Sequence, residues 1–163
     1  MSLERVRIQP EDFSLDEEWR RMRAGLGGGT GAVAAFIGLV RDLGGDGSSS
    51  LELEHYPGMT EASIEAIVAR AEERWELSGA LVIHRVGRLR PEEQIVLVLC
   101  ASRHRAEAFS ACEFIMDFLK TDAVFWKKET GPDGSRWVES TRQDFDRAAG
   151  WRQRREAGKP PQA

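Results

Sequence analysis

Cysteine, histidine and long apolar runs are scarce in this chain, and each shortage removes a class of chemistry. Two cysteines, Cys100 and Cys112, occur in 163 residues. Cys100 falls in an apolar strand pattern and Cys112 on an apolar helix stripe, and no C-x-x-C pair exists. Both are therefore expected as buried, reduced core residues. The three histidines, His55, His84 and His104, show neither H-E-x-x-H nor H-x-x-E-H spacing, so no metal is expected. There is no Walker loop, no G-x-S-x-G elbow and no G-x-G-x-x-G turn. Gly27-Gly-Gly29 precedes a strand pattern and reads as a connector. No apolar run approaches the roughly 20 residues that cross a membrane. The opening Met-Ser-Leu-Glu-Arg-Val-Arg has no apolar signal core, so a cytoplasmic location is the expectation.

What is present fits one globular domain. Apolar residues make up 41% and charged residues 31%, with a formal net charge of -4, enough for a sizeable core at this length. Residues 4–8 read as a short strand, and Ser14-Leu-Asp-Glu17 as a capping box opening a helix to about Arg23. Residues 30–40 read as a strand buried on both faces. The Gly- and Ser-rich stretch Asp42–Ser50 reads as a mobile loop. Leu51, Leu53 and His55 alternate with Glu52, Glu54 and Tyr56, as on a half-exposed strand. A helix from about Thr60 to Trp75 carries Ile64, Ile67, Val68, Ala71 and Trp75 on one stripe. Apolar strands are expected at 80–86 and 94–101.

A second long helix is expected over about 105–120, with Phe109, Cys112, Ile115, Met116 and Leu119 inward. A hairpin follows, 124–129 with 135–138 around Gly131-Pro-Asp-Gly134, then a short helix over about 142–150. Neighbouring strands mixed with helical crossovers define an α+β domain with a mainly antiparallel sheet and packed helices. Residues 1–150 form this single domain. Residues 151–163 form a basic, flexible C-terminal tail, which would order over an anionic substrate or partner if it has a role.

The stretch Ile115–Glu129 carries the chemistry. An apolar helix face ends at Lys120, and an aromatic strand with Lys127 and Lys128 follows after a short turn. Lysines at the edge of a core can shift their pKa and act as acid, base or nucleophile, although one lysine at a helix end also simply complements the helix dipole. Further cations stand at element ends: Arg41 closes the apolar run from Gly31, and Arg103-His104-Arg105 leads into a helix. In an acidic chain this pattern points to a focused anion site, to which helix N-terminal amides after Arg105 would add donors.

These residues carry a family resemblance. F-I-G-L-V-R-D at 36–42, L-E-L-E-H-Y-P-G-M-T-E at 51–61, V-I-H-R-V-G at 82–87, S-R-H-R-A-E-A-F at 102–109, F-I-M-D-F-L-K-T-D-A-V-F-W-K-K-E at 114–129 and R-W-V-E at 136–139 are similar to the large, catalytic subunit of molybdopterin synthase. The likeness runs over roughly residues 3–150. It implies an α/β-hammerhead fold and a sulfurtransferase of molybdenum cofactor biosynthesis. Such a subunit converts cyclic pyranopterin monophosphate to molybdopterin, without a cofactor. Sulfur arrives as the thiocarboxylate on the C-terminal Gly-Gly of a small ubiquitin-like sulfur-carrier subunit. A homodimer within a heterotetramer is implied.

Carried over residue by residue, the resemblance makes Lys120 and Lys127 catalytic, Lys120 beside the thiocarboxylate carbon and Lys127 orienting the pterin. Arg41, His104 and Arg105 become the phosphate and pterin binders. Backbone at Leu39, Val40 and Arg41 and at Lys127, Lys128 and Glu129 lines the same pocket, on the argument that strand ends leave amides unpaired. Phe36 and Met116 offer apolar walls, with core packing the competing use. Strand alternation favours Lys127 over Lys128, since the two point to opposite faces. The chain departs from the family pattern at Val124, where proline is common before F-W-K. It departs again after W-V-E, where an arginine acting across a dimer is common; here Ser140-Thr141 follows and Arg142 stands later. Trp126 and Trp137 are candidates for an interface as well as for core packing. The rival reading is a non-catalytic phosphate- or nucleotide-binding regulatory module. Nucleic-acid binding is disfavoured by the acidic charge.

Overall fold

The structure is a computed structural model and describes residues 4–157, with side chains to Arg154. Its elements are β1 (Val6–Gln9), α1 (Leu15–Gly25), β2 (Ala32–Leu39), β3 (Ser50–His55), α2 (Met59–Arg74), β4 (Leu77–Arg85), β5 (Gly87–Leu89), β6 (Gln94–Ser102), α3 (Arg105–Leu119), β7 (Phe125–Gly131), β8 (Gly134–Val138) and α4 (Arg142–Ala157). The strands form two four-stranded sheets, β1-β4-β6-β2 and β5-β3-β7-β8. β1 runs parallel to β4, and every other pairing among the described residues is antiparallel. This is the expected α+β class, with the antiparallel strands divided between two sheets.

Alternation along β4 and β6 splits the core. Val82, Val96, Val98 and Cys100 face α2 and α3, and Leu81, Ile83, Leu97 and Leu99 face α1. A third cluster, Val40, Leu51, Leu53 and Leu89, lies under the second sheet and meets Ile95 and Phe125 where the two sheets approach. The buried Arg85, at the end of β4, ties the exit of β1 to the start of β6. Its guanidinium donates to the Pro10 carbonyl at 2.9 and 3.2 Å and to the Gln94 carbonyl at 3.0 Å.

Several local expectations hold. Ser14 caps α1 by accepting from the Glu17 amide at 3.3 Å. The hairpin turns where expected, with Gly131 opposite Gly134, and Gly134 takes the φ of 103° that favours glycine. Both cysteines are free and buried. The Cys100 thiol is pushed up in pKa by its hydrogen bond with Cys112 and by burial, and the same bond pulls Cys112 down.

Four expectations change. β2 is an edge strand, so Phe36 is 40% and Leu39 57% exposed rather than buried on both faces. Phe109 is 67% exposed, because the inward stripe of α3 is set by Ala108, Ala111, Cys112, Ile115 and Phe118. The loop from Asp42 is organised by its own carboxylates. Asp42 accepts from the Gly47 amide at 2.8 Å and the Ser49 hydroxyl at 2.9 Å. Finally, α4 runs to Ala157, well past 150, with Trp151 buried against Trp75 and Phe114. Of the tail expected from 151, residues 158–163 lie outside the described residues.

Candidate active site

The helix end that the sequence singles out opens onto a cavity of about 370 Å³, within the usual size of small-molecule sites. Its walls come from α3 (Met116, Leu119), from the ends of β4 and β6 (His84, Val96) and from β7 (Phe125, Lys127). The first turn of α4 closes one side through Thr141, Gln143 and Asp144. A second lobe of about 300 Å³ continues past Arg41 to Phe36, Leu39, Val40 and Leu43, sharing Lys120, Lys127 and Glu129 with the first.

Local structure explains each placement. Lys120 is the C-cap of α3, its amide bonded to the Met116 carbonyl, and its own carbonyl receives the Ser140 hydroxyl. Lys127 sits mid-strand on β7, opposite Leu53 and Val138, on the face turned to the core. That position withdraws it from water. Burial first, and then the charge of Lys120, lower its pKa below the ordinary lysine value, with Arg41 acting in the same sense and Glu129 and Asp144 opposing. Arg41 follows β2 on the exposed rim. The carboxylates of Glu129 and Asp144 are already engaged, Glu129 with Arg136 at 3.2 Å and Asp144 with the Thr141 amide at 2.8 Å. Lys120, Lys127 and Arg41 thus remain the available positive charges.

Not every expected residue reaches this cavity. Lys128 points to the opposite face of β7, its ammonium 5.8 Å from the centre of the Trp137 ring, so it lines neither lobe. Leu39, Val40, Lys127 and Glu129 do line a lobe, but not through free strand-end amides. The Val40 amide donates to Glu93 at 2.9 Å, and its carbonyl accepts from Glu92 at 2.8 Å. Lys127 and Glu129 are paired within the sheet. His104 and Arg105 lie at the far end of α3 from Lys120. A helix of 15 residues separates its ends by about 22 Å, so within one chain they cannot share a ligand with Lys120. Arg142 opens α4 and is exposed.

His84 is the lining residue that motif reasoning passed over. The signal was its parity: on β4 it shares a face with Ala80 and Val82, which turn to the helix-covered core. Its ring stacks on Phe125 with centroids 4.2 Å apart, and its Nδ1 lies 2.9 Å from the Arg85 carbonyl. Burial, reinforced by Lys127 and Lys120, pushes its pKa down to about 4. Among the described residues no cluster of His, Cys, Asp or Glu is placed to hold a metal.

Size alone does not select this site. A groove of about 730 Å³ between α1 and β2 is lined mainly by Leu15, Trp19, Leu26 and Val33. A cavity of about 480 Å³ beside β1 has its arginines already paired, Arg5 with Glu65 at 2.7 Å and Arg7 with Glu18 at 2.5 Å.

The two-sheet α+β domain thus places Lys120 and Lys127 on one cleft. The chain belongs to the MoaE protein family, whose sequence profile matches residues 8–122. It is 57% identical over 147 residues to the molybdopterin synthase catalytic subunit of Ralstonia nicotianae, covering 90% of this chain and 83% of that protein. It is 50% identical to the same-named subunit of Vibrio cholerae, covering 90% and 97%. A solved structure, the molybdopterin biosynthesis MoaE protein from Burkholderia ambifaria, superposes with a TM-score of 0.78 at 49% identity, covering 91% of this chain and 98% of that one.

Proposed function

We propose that this chain is the catalytic subunit of a molybdopterin synthase, an enzyme of molybdenum cofactor biosynthesis. It converts cyclic pyranopterin monophosphate to molybdopterin. Sulfur comes from the C-terminal thiocarboxylate of a small ubiquitin-like subunit. The observation that carries the reading is the meeting of Lys120 and Lys127 across one cavity in a chain of this family. The sealed cysteines agree with an external sulfur source. No described helix is long and apolar enough to cross a membrane, and we assign the protein to the cytoplasm.

The geometry supports a division of labour. Once sulfur has bonded to the substrate, the carrier is released by water adding to its terminal glycine carbonyl. Negative charge develops on that oxygen, and the bond to sulfur breaks. Lys120, at the exposed helix end, meets the oxyanion, where a fixed cation in a confined site acts strongly. Lys127, with its pKa lowered by burial, gives up a proton more readily and supplies it to the leaving sulfur. Arg41 on the rim grips the substrate phosphate with paired donors. The exposed apolar side chains of Leu39 and Leu43 flank the second lobe, a suitable wall for an uncharged glycine tail.

His104 and Arg105 enter this scheme only from a second copy, since α3 holds them at the far end. In the homodimer each site is composite, with lysines from one chain and His104 and Arg105 from the other. Arg142 is available for the same use.

Purified chain, cyclic pyranopterin monophosphate and a thiocarboxylated small subunit should yield dithiolene product, and Lys120→Ala should yield little. Binding of substrate without product would favour the regulatory-module reading. Mixing Lys120→Ala with Arg105→Ala chains tests the composite site. Each variant alone is inactive, and mixed dimers regain one intact site. No recovery on mixing would remove the second-copy assignment.

A further inference from the structure

The cavity holds one more group whose state the fold sets. The carbonyl of Arg85 can only accept a hydrogen bond, so the 2.9 Å contact places the proton of the His84 ring on Nδ1. The other nitrogen, Nε2, then carries a lone pair. It has no hydrogen-bond partner among the described residues, and it is not among the sealed polar atoms. The stack on Phe125 fixes the ring plane. The charged neighbours on the surrounding elements are Lys120, Lys127, Arg41, Glu129, Glu139 and Asp144. The lysines nearest the ring disfavour a second proton on it.

We propose that His84 is a substrate-positioning residue: its Nε2 accepts a hydrogen bond from an N–H or O–H of the substrate's ring system, opposite the lysines that take the anionic groups. This rests on the proposed function, and it assigns the ring end of the substrate to the inner wall formed by His84 and Phe125. A fused ring rich in N–H donors suits such a wall, because Phe125 offers a flat apolar face and His84 an uncharged acceptor. A cation cannot accept, the carboxylates of Glu129 and Asp144 are engaged elsewhere, and Glu139 is exposed to solvent. The neutral imidazole is an acceptor on the inner wall, beside Phe125, that adds no charge of its own next to the lysines.

Two substitutions separate positioning from scaffolding. His84→Asn places an amide N–H where Nδ1 stands, keeping the bond to Arg85 and deleting the acceptor. His84→Gln reaches the position of Nε2 with an amide oxygen and gives up the Nδ1 bond. The proposal expects Asn to raise KM for cyclic pyranopterin monophosphate roughly tenfold, the size of one lost hydrogen bond. Gln should restore most of it, and KM for the small subunit should stay unchanged in both. A purely structural histidine gives the reverse order, with Asn near wild type and Gln impaired in thermal unfolding and in both KM values. That result overturns the proposal. If wild type itself makes no product, the proposed function fails instead; direct titration of the substrate into wild type and Asn then still reads the acceptor, and equal affinities would count against it.

Discussion

The Ser140 hydroxyl donates a hydrogen bond to the main-chain carbonyl of Lys120. That bond joins the exit of β8 to the end of α3, and so holds the first turn of α4 over the cavity. Ser140→Ala leaves the carbonyl to water. The expected cost is about 1 kcal/mol of stability, with a several-fold fall in turnover because Lys120 is less well held. Equal turnover in the two proteins would mean that the tie does not position the lysine.

Adjacent lysines on β7 should behave oppositely. Lys127→Ala removes a cavity group and should lower kcat by about a hundredfold or more, the usual scale for a lost proton-transfer group. Lys128→Ala removes a side chain that lies by Trp137 on the other face and should leave kcat within about twofold. Steady-state kinetics on the two variants checks this, and similar losses in both would contradict the register of β7.

His84 makes stability depend on pH in a defined window. Its pKa falls from 6.5 in the unfolded chain to about 4 in the fold. Above pH 6.5 neither state binds the proton, and His84 costs nothing. As pH falls toward 4 the unfolded chain takes up a proton that the native state refuses, so stability is lost. The loss attributable to His84 is about 3 kcal/mol by pH 4. Denaturant unfolding at pH 7 and pH 4 should show a smaller decline in His84→Asn than in wild type. Parallel declines would show that the imidazole takes no part.

Gly31 approaches the chain just before α3. A Cβ there would stand 2.3 Å from the Arg103 carbonyl oxygen, a backbone atom with no freedom to withdraw. Gly31→Ala should therefore destabilise the fold by about 1–3 kcal/mol. It should also displace Arg103 and His104, lowering substrate affinity more than small-subunit affinity. A melting temperature within a degree of wild type would disprove the close approach.

Asp117 joins α3 to α4. Its carboxylate accepts from Trp151 Nε1 at 2.7 Å and from Arg147 at 2.9 Å. Asp117→Ala strands the buried indole N–H and breaks the ion pair, for a cost of about 2–4 kcal/mol. Asp117→Asn keeps an acceptor for Trp151 and should lose less. Urea denaturation of both variants gives the comparison.

The course of the chain was largely legible, because period-2 and helical apolar patterns are long here and turn residues sit between them. The capping box at Ser14 and the hairpin at Gly131–Gly134 are local signals, and they resolve locally. What escaped depends on pairing. Whether β2 is central or an edge depends on which strands lie beside it, and its apolar sequence reads the same either way. β5 is three residues long, too short for any pattern. Phe109 looked inward because it is apolar, but the rotation of α3 is set by the summed stripe from Ala108 to Phe118. Within the site, Lys120 and Lys127 could be read from a helix end and a strand parity. The separation of Arg105 from Lys120 was also readable, since both lie at the ends of one helix. His84 was hidden by the search for metal spacing, which treats a histidine as one of a set. Its significance comes from one carbonyl and one ring, and those are tertiary neighbours.

The burial of Trp151 has a consequence for the cavity at the start of the same helix. A rod of 16 residues is about 24 Å long. It is pinned just past its middle, at Trp151, among Trp75, Phe114 and Asp117, about 14 Å from its start, while its first turn forms one wall of the cavity. α4 therefore works as a lever with a remote fulcrum, and a small tilt at the tryptophan becomes a larger sweep at Thr141 and Asp144. Softening of that aromatic bearing, by heat or by substitution, would widen the mouth of the cleft while both sheets remain intact.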